Sequence, residues 1–323
     1  MCLSGSLKKK ILEGIMSKKV LVATEKPFAA AAVVEIEHQC KNAGYDLILL
    51  EKYTNQDELI AAVQNVDAMI VRSDKVTKEV IEAAENLKIV VRAGAGYDNL
   101  DCAAATEKRI VCMNTPGQNS NAVAELAFGM MIYMARGQFN GKSGTELKGK
   151  SIGIHAYGNV GVNVARIAKG FDMKVFAHDP FVDAATMKKD GVVPVNSAEE
   201  LYSQCDYISL HLPSSAETKN FVNKKLLSMM KRGATLVNTA RKEVVCEEGL
   251  LFVLGERTDL KYASDIAPDN MDELMKNFGE RVYFTPKKMG AQTAEANINA
   301  GVAAIKQIID FFEKGDTKYQ VNK

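Results

Sequence analysis

Short runs of β-branched and aliphatic residues alternate with longer amphipathic stretches along the chain, the order expected of parallel α/β layers. In the first third the runs are Val20–Thr24, Leu47–Glu51, Ala68–Ser73, Ile89–Ala93 and Ile110–Asn114. Apolar positions at helical spacing fill the gaps over Phe28–Ala43, Gln56–Gln64 and Lys78–Ala84. A second series opens at Ser151–Ala156 and continues through Lys174–Asp179, Tyr207–Pro213, Thr235–Ala240, Tyr262–Ile266 and Val282–Thr285. Two series of this kind predict two doubly wound α/β domains, each built on a parallel sheet.

Between the series, Asn121–Arg136 reads as a long helix whose apolar face is wider than one core stripe needs. Such a face is buried between domains or against a second subunit, and a homodimer is expected. The last helix, Ala294–Lys314, closes at Gly315 and is too long and apolar for a tail. It is expected to pack back on the first domain. The resulting plan is a discontinuous domain over 17–117 and 294–323, a second domain over 118–293, and an N-terminal extension over 1–16.

Composition narrows the class. Apolar residues make up 47% and charged residues 25%, ordinary for a globular protein. The 41 basic and 40 acidic residues leave a net charge of +1, so there is no electrostatic footprint for nucleic acid or an anionic membrane. No apolar run approaches the ~18 residues of a membrane span. The six cysteines form no C-x-x-C pair, and no histidine pair has metal-ligand spacing, which suits a reducing, cytoplasmic setting without a bound metal.

Chemistry enters at Ser151–Gly161, a strand followed by a helix start. Here Gly158 lets the backbone approach a pyrophosphate and Gly161 lets helix and strand pack closely. The amides of Asn159 and Val160 face the phosphate charge at the helix N-terminus. The first glycine of the usual G-x-G-x-x-G pattern is replaced by Ala156, so the tight turn must tolerate a Cβ. Asp179 ends the next strand, 18 residues beyond Gly161. A carboxylate there accepts bonds from ribose hydroxyls and repels a 2′-phosphate, which selects NAD over NADP.

Several ordered segments together resemble the D-isomer-specific 2-hydroxyacid dehydrogenases. They are Val71-Arg-Ser73, the stretch Arg92–Asn99, Asn119–Glu125, the glycine loop, Asn238-Thr-Ala-Arg241 and Thr285–Thr293. The resemblance implies a flavodoxin-like substrate domain, a Rossmann domain for NAD, and hydride transfer at C2 of a small 2-hydroxy acid. Within the family it favours oxidation of 3-phosphoglycerate, a phosphorylated acid on the way to serine. Reduction of glyoxylate or hydroxypyruvate is the nearest alternative, and a non-enzymatic, NAD(H)-sensing corepressor-like role a more distant one.

The same resemblance implies site residues. Arg241 would polarise the 2-oxo group, since a guanidinium stays charged and offers a planar fork of donors. Gly94, Ala95 and Gly96 would offer amides to the substrate carboxylate. Arg72 and Ser73 would hold a phosphate, with Lys26 and Asn119 as further contacts. Leu212, Pro213, Thr239, Ala240, Asp265 and Gly290 would complete the cofactor site, and hinges would lie near Gln118 and Gly290.

One departure stands out. The family commonly places a histidine after Thr-Pro and supports it with a glutamate, whereas this chain reads Thr285-Pro-Lys-Lys-Met-Gly290. The four histidines lie elsewhere, and Asp269 and Asn270 stand where the glutamate is expected. A lysine is therefore expected to serve as acid and base. It needs no carboxylate to stay protonated near neutrality, but its pKa must fall when it acts as a base. Counting from Pro286 selects Lys287, and counting back from Met289-Gly290 selects Lys288.

Overall fold

The computed structural model describes residues 17–322, and the extension expected over 1–16 lies outside the described residues. The chain divides into two compact units, one running through Asn119 and resuming at Ala294, the other spanning Ser120–Thr293.

In the first unit, β1 (Lys19–Thr24), β2 (Asp46–Glu51), β3 (Ala68–Val71), β4 (Ile89–Arg92) and β5 (Val111–Asn114) pair in parallel in the order β2-β1-β3-β4-β5. This is the flavodoxin-like order. Val20–Ala23 and Ala68–Val71 are buried on both faces, which explains their unbroken apolar runs. The helix Ala30–Ala43 turns Ala32, Ile36 and Cys40 inward and stops at Gly44, whose φ is 71°. The last helix, Ala294–Lys314, packs on it. A Cβ at Gly301 would sit 3.0 Å from Ile36 Cδ1, so a residue without a side chain sets that approach. Full burial of a side chain such as Ile36 or Ile305 contributes about 1.5–3 kcal/mol. The chain end continues along the edge of β5, where Asn322 accepts from the Cys112 N–H at 2.7 Å and donates to Ile110 O at 2.8 Å.

The second unit holds β6 (Ser151–His155), β7 (Lys174–His178), β8 (Val193–Pro194), β9 (Tyr207–Leu210), β10 (Thr235–Asn238), β11 (Lys261–Ser264) and β12 (Val282–Phe284). They form one parallel sheet ordered β12-β11-β10-β9-β6-β7-β8. Strand order reverses between β6 and β9, the crevice position at which such sheets bind ligands. The helix Ser120–Ala135 packs under β10 and β11 and against the helix Asn159–Gly170.

Most strands end earlier than the apolar runs suggest. The run expected to reach Ser73 ends at Val71, that to Ala240 at Asn238, and that to Ile266 at Ser264. In each case a side chain takes a backbone N–H that the ladder would otherwise hold. Asp74 accepts from Arg72, Asn238 from Ala240, and Ser264 from Ile266. The two-residue strand β8 has no counterpart among the predicted runs.

Ala156 holds φ at 79°, a left-handed conformation that costs an L-residue about 1–2 kcal/mol. Ala156→Gly relieves that strain and should raise the melting temperature by a few degrees, which differential scanning calorimetry would detect; an unchanged or lower value would contradict the assignment.

His155 is 3% exposed, bonded to the Tyr202 hydroxyl at 3.1 Å and paired across the sheet with His178. Burial first, and the neighbouring His178 charge second, push its pKa from 6.5 down to about 3. The unfolded chain therefore binds a proton below pH 6.5 that the native fold refuses until about pH 3. Stability is retained above 6.5 and lost as pH falls towards 3, by about 1.4 kcal/mol per pH unit for this group. Denaturant titrations of wild type and His155→Gln across that window should show a shallower acid loss in the variant.

Candidate active site

At the end of β6 the chain makes the tight turn that a dinucleotide requires. A Cβ at Gly161 would lie 2.5 Å from Ala156 O, a backbone clash, so glycine is needed for the helix to leave the strand at this angle. At Gly158 a Cβ would meet nothing within 4 Å, so the chain itself leaves that side open. The helix Asn159–Gly170 has no side-chain cap on its N-terminus, which leaves its first amides uncapped by side chains. These features fit a pyrophosphate.

Asp179, half-buried just past β7, accepts from Tyr157 N–H and Phe181 N–H, each at 2.8 Å. Those bonds fix the glycine loop to the neighbouring strand end, and a carboxylate has acceptor sites for ribose hydroxyls besides. A cavity of about 480 Å³ lies on the β8 side of Asp179, lined by Pro180, Val182, Val195 and Asn196 among others. Leu212 and Pro213 follow β9, where Pro213 O accepts from Thr218 Oγ1 at 2.6 Å. Thr239 and Ala240 are buried after β10, and the His211 ring reaches Ser209 Oγ at 2.9 Å and Thr239 Oγ1 at 3.4 Å.

The ends of β10, β11 and β12 lie in register, Asn238 beside Ser264 and Ser264 beside Phe284. Adjacent strands are ~4.8 Å apart, so the loops that follow begin within ~10 Å of one another. Asn238, 1% exposed, folds the first of them: its oxygen accepts from Ala240 N–H and its nitrogen donates to Arg241 O. Arg241 is thereby held past the sheet edge, its Nη1 donating to Ala240 O at 3.0 Å.

Asp265 is fully buried. Its Oδ1 accepts from Thr285 Oγ1 at 3.0 Å and Met289 N–H at 2.6 Å, and its Oδ2 from Gly290 N–H at 2.8 Å. Thr285 Oγ1 also approaches Asp265 O at 2.8 Å. The segment carrying Lys287 and Lys288 is thus bound to the end of β11, with both lysines exposed. The carboxylate expected in the cofactor site is thus also an anchor for this segment.

Asp269, at the place of the family glutamate, pairs with Lys242, and Glu247 accepts from the amides of Asp269 and Asn270. Asn270 Oδ1 is buried with no partner.

The edge of the first unit gathers another set. Arg72 donates through Nη1 to Lys26 O and Pro27 O and through Nη2 to Asn297 Oδ1, and lies 5.2 Å over the Phe28 ring. Three of its five N–H groups therefore bind the protein itself. Lys26 is exposed, and what it contributes here is its carbonyl. Ser73 is exposed beside Arg72, and Asn119 is half-buried ahead of the helix Ser120–Ala135.

Gly94 gives its N–H to Arg92 O at 2.9 Å, so of the three amides expected to face a carboxylate this one turns inward. Ala95 and Gly96 remain on the more accessible part of the turn.

Arg92 is the residue that sequence reading passed over. Its Nε donates to Arg72 O at 3.0 Å, and a Cβ on Gly94 would fall 1.4 Å from its Nη1. The guanidinium therefore occupies the space that a glycine at φ 150° keeps clear. The available signal was an arginine ending a strand two residues before a glycine.

Among the described residues no group of three metal-ligating side chains is assembled, and no helix is long and apolar enough to cross a membrane. The five described cysteines are free thiols.

Comparison with known proteins agrees with this geometry. Residues 122–287 match the family described as D-isomer specific 2-hydroxyacid dehydrogenase, NAD binding domain. A hydroxypyruvate reductase from Thermotoga maritima is 36% identical over 286 residues, covering 81% of this chain and 90% of that protein. A D-3-phosphoglycerate dehydrogenase from Methanocaldococcus jannaschii is 35% identical over 270 residues, covering 78% of this chain and 51% of that protein. The chain thus spans about half the length of this and other phosphoglycerate dehydrogenases it matches. The NAD⁺-bound structure of 3-phosphoglycerate dehydrogenase from Entamoeba histolytica superposes with a TM-score of 0.87 at 46% identity, covering 95% of this chain and 99% of that one. With its uncapped helix behind a glycine turn, its strand-end aspartate and its parallel sheets, this chain belongs to the D-isomer-specific 2-hydroxyacid dehydrogenase family and is an NAD-dependent enzyme of that kind.

Proposed function

We propose that the enzyme oxidises 3-phosphoglycerate to 3-phosphohydroxypyruvate, with Arg241 holding the C2 oxygen and Lys288 moving its proton. The observation that carries this reading is the Asp265 clamp, which fastens the lysine segment to the strand end beside the one that leads to Arg241.

Bound NAD⁺ would supply the acceptor for the hydride that leaves C2. The protein's share is to place charge and remove the proton. Arg241 steadies the negative charge that develops on the C2 oxygen, and a neutral lysine amine takes the hydroxyl proton to become ammonium. In the reverse direction the ammonium returns it. Lys288 precedes the pinned Met289 amide directly, so its backbone is better fixed than that of Lys287. Gly158, Asn159, Val160 and Gly161 would hold the pyrophosphate and Asp179 the ribose, with Leu212, Pro213, Thr239, Ala240 and Gly290 lining the rest of the cofactor. Arg72, Ser73 and Arg92 present cationic and hydroxyl donors suited to a phosphate, and Ala95 and Gly96 to a carboxylate.

A second reading, reduction of hydroxypyruvate or glyoxylate, is favoured by the Thermotoga relative's name and by the prior commitment of three Arg72 donors. The partly exposed apolar face of the helix Ser120–Ala135 supports a homodimer. It continues through Tyr133 into Tyr283, at 4.7 Å between ring centroids, and into Phe139, which is 66% exposed.

Lys288→Met should lower kcat by ~10²–10⁴-fold while NADH still quenches and titrates normally. In the oxidative direction the wild-type rate should rise with pH through an apparent pKa above the ~6.5 of an ordinary histidine. If Lys288→Met and Lys287→Met both retain turnover, the lysine mechanism is wrong; if only Lys287→Met is dead, the role moves one residue. A wild type faster on glyoxylate than on the phosphorylated acid would favour the second reading.

For the assembly, light scattering behind a sizing column should give twice the chain mass for wild type and a single chain for Phe139→Asp. A monomeric wild type would refute the dimer.

A further inference from the structure

The first unit contains a buried carboxylate that the reaction does not use. Asp74 is 3% exposed and follows β3 directly after Ser73. Its Oδ1 accepts from Glu25 N–H at 2.6 Å and from the Tyr53 hydroxyl at 3.0 Å, and its Oδ2 accepts from Arg72 N–H at 3.0 Å. Asn99 returns to the same turn, donating to Asp74 O at 2.7 Å and approaching Arg72 O at 3.4 Å. Arg92 Nε reaches that carbonyl at 3.0 Å. Residues following β1, β2, β3 and β4 therefore converge on one aspartate and the turn it closes.

Two physical points make this more than a loop tie. A carboxylate taken out of water is tolerated only where donors replace the lost hydration, and here two backbone N–H groups and one hydroxyl do so. The Tyr53 phenol is held well above its usual range, by burial first and then by the charge and hydrogen bond of Asp74, so it remains a donor at any working pH. The backbone being shaped is also the one that presents Arg72 and Ser73.

We propose that Asp74, with Tyr53 behind it, is a positioning residue that holds the Arg72–Ser73 backbone in the form that receives the anionic end of the substrate. This rests on the functional reading above, in which that turn meets the phosphate. Asparagine at position 74 must set an NH₂ against at least one N–H or O–H donor, so Asp74→Asn disturbs the turn without emptying the space. Tyr53→Phe removes a single donor and leaves the carboxylate.

The test compares wild type, Asp74→Asn and Tyr53→Phe by steady-state kinetics, NADH titration and hydrogen–deuterium exchange. In Asp74→Asn the KM for the phosphorylated acid should rise ~10-fold, kcat should stay within ~2-fold, and the KM for glyoxylate should change far less. Tyr53→Phe should show the same pattern at about 3-fold. NADH binding, a property of the other unit, should be unchanged in both. Exchange at the Arg72 and Ser73 amides should quicken ~10-fold or more in Asp74→Asn.

A KM for the phosphorylated acid unchanged in both variants overturns the proposal, as does an equal rise for glyoxylate or an equal loss of NADH affinity. Should Asp74→Asn fail to fold, Tyr53→Phe decides by the same criteria. Should wild type turn over no 2-oxo acid, the functional reading falls. Exchange at Arg72 then still judges Asp74: unaltered protection refutes the positioning role.

Discussion

The second unit's chemistry depends on one buried carboxylate. Asp265 has no water to solvate it, and it is satisfied by Thr285, Met289 and Gly290, all from the segment that carries the two lysines. An unsatisfied carboxylate at this depth would be costly, so the segment and the aspartate determine each other. With two amides and a hydroxyl bound, a stretch without helix or strand becomes a fixed shelf at the end of β11. The position of a long, flexible lysine then depends on its side chain alone and not on a wandering backbone.

The same device recurs at three other strand ends. Asp179 fastens the glycine loop through Tyr157 N–H, Asn238 folds the turn that presents Arg241, and Asp74 gathers the loops around Arg72. There is a general reason. When a strand stops, the next N–H groups lose their ladder partners and need acceptors nearby. Short Asp, Asn and Ser side chains reach such N–H groups two or three residues away. These strands thus end in hydrogen-bonded turns, and the candidate site residues Arg72 and Arg241 stand on two of them.

This also explains what could be read from sequence. Val20–Ala23 and Ala68–Val71 are legible as strands because burial on both faces demands unbroken apolar runs. The last helix was visible because its apolar period is long and its stop is a glycine with φ of 69°. Strand ends are less legible, since Ala240 and Ile266 stay apolar or buried beyond the ladder and hydrophobicity does not register the side chain that closes it. Arg92 was passed over for a related reason. Its location follows from the space left over Gly94, which no spacing rule reports. The two-residue β8 is too short to carry any period.

The proposed use of a lysine in place of the histidine–glutamate pair bears on the turn where that glutamate is expected. Asp269 is turned to Lys242, and Glu247 is bonded to the amides of Asp269 and Asn270. The acidic groups near that turn are thus engaged in holding its shape. A carboxylate pressed on a catalytic lysine would stabilise its ammonium form and oppose its use as a base. A neutral amide such as Asn270, whose oxygen is buried without a partner, imposes no such bias. For the lysine proposed as acid and base, a turn in which Asp269 is bonded to Lys242 and Asn270 is neutral leaves no unbonded acidic side chain at the place of that glutamate.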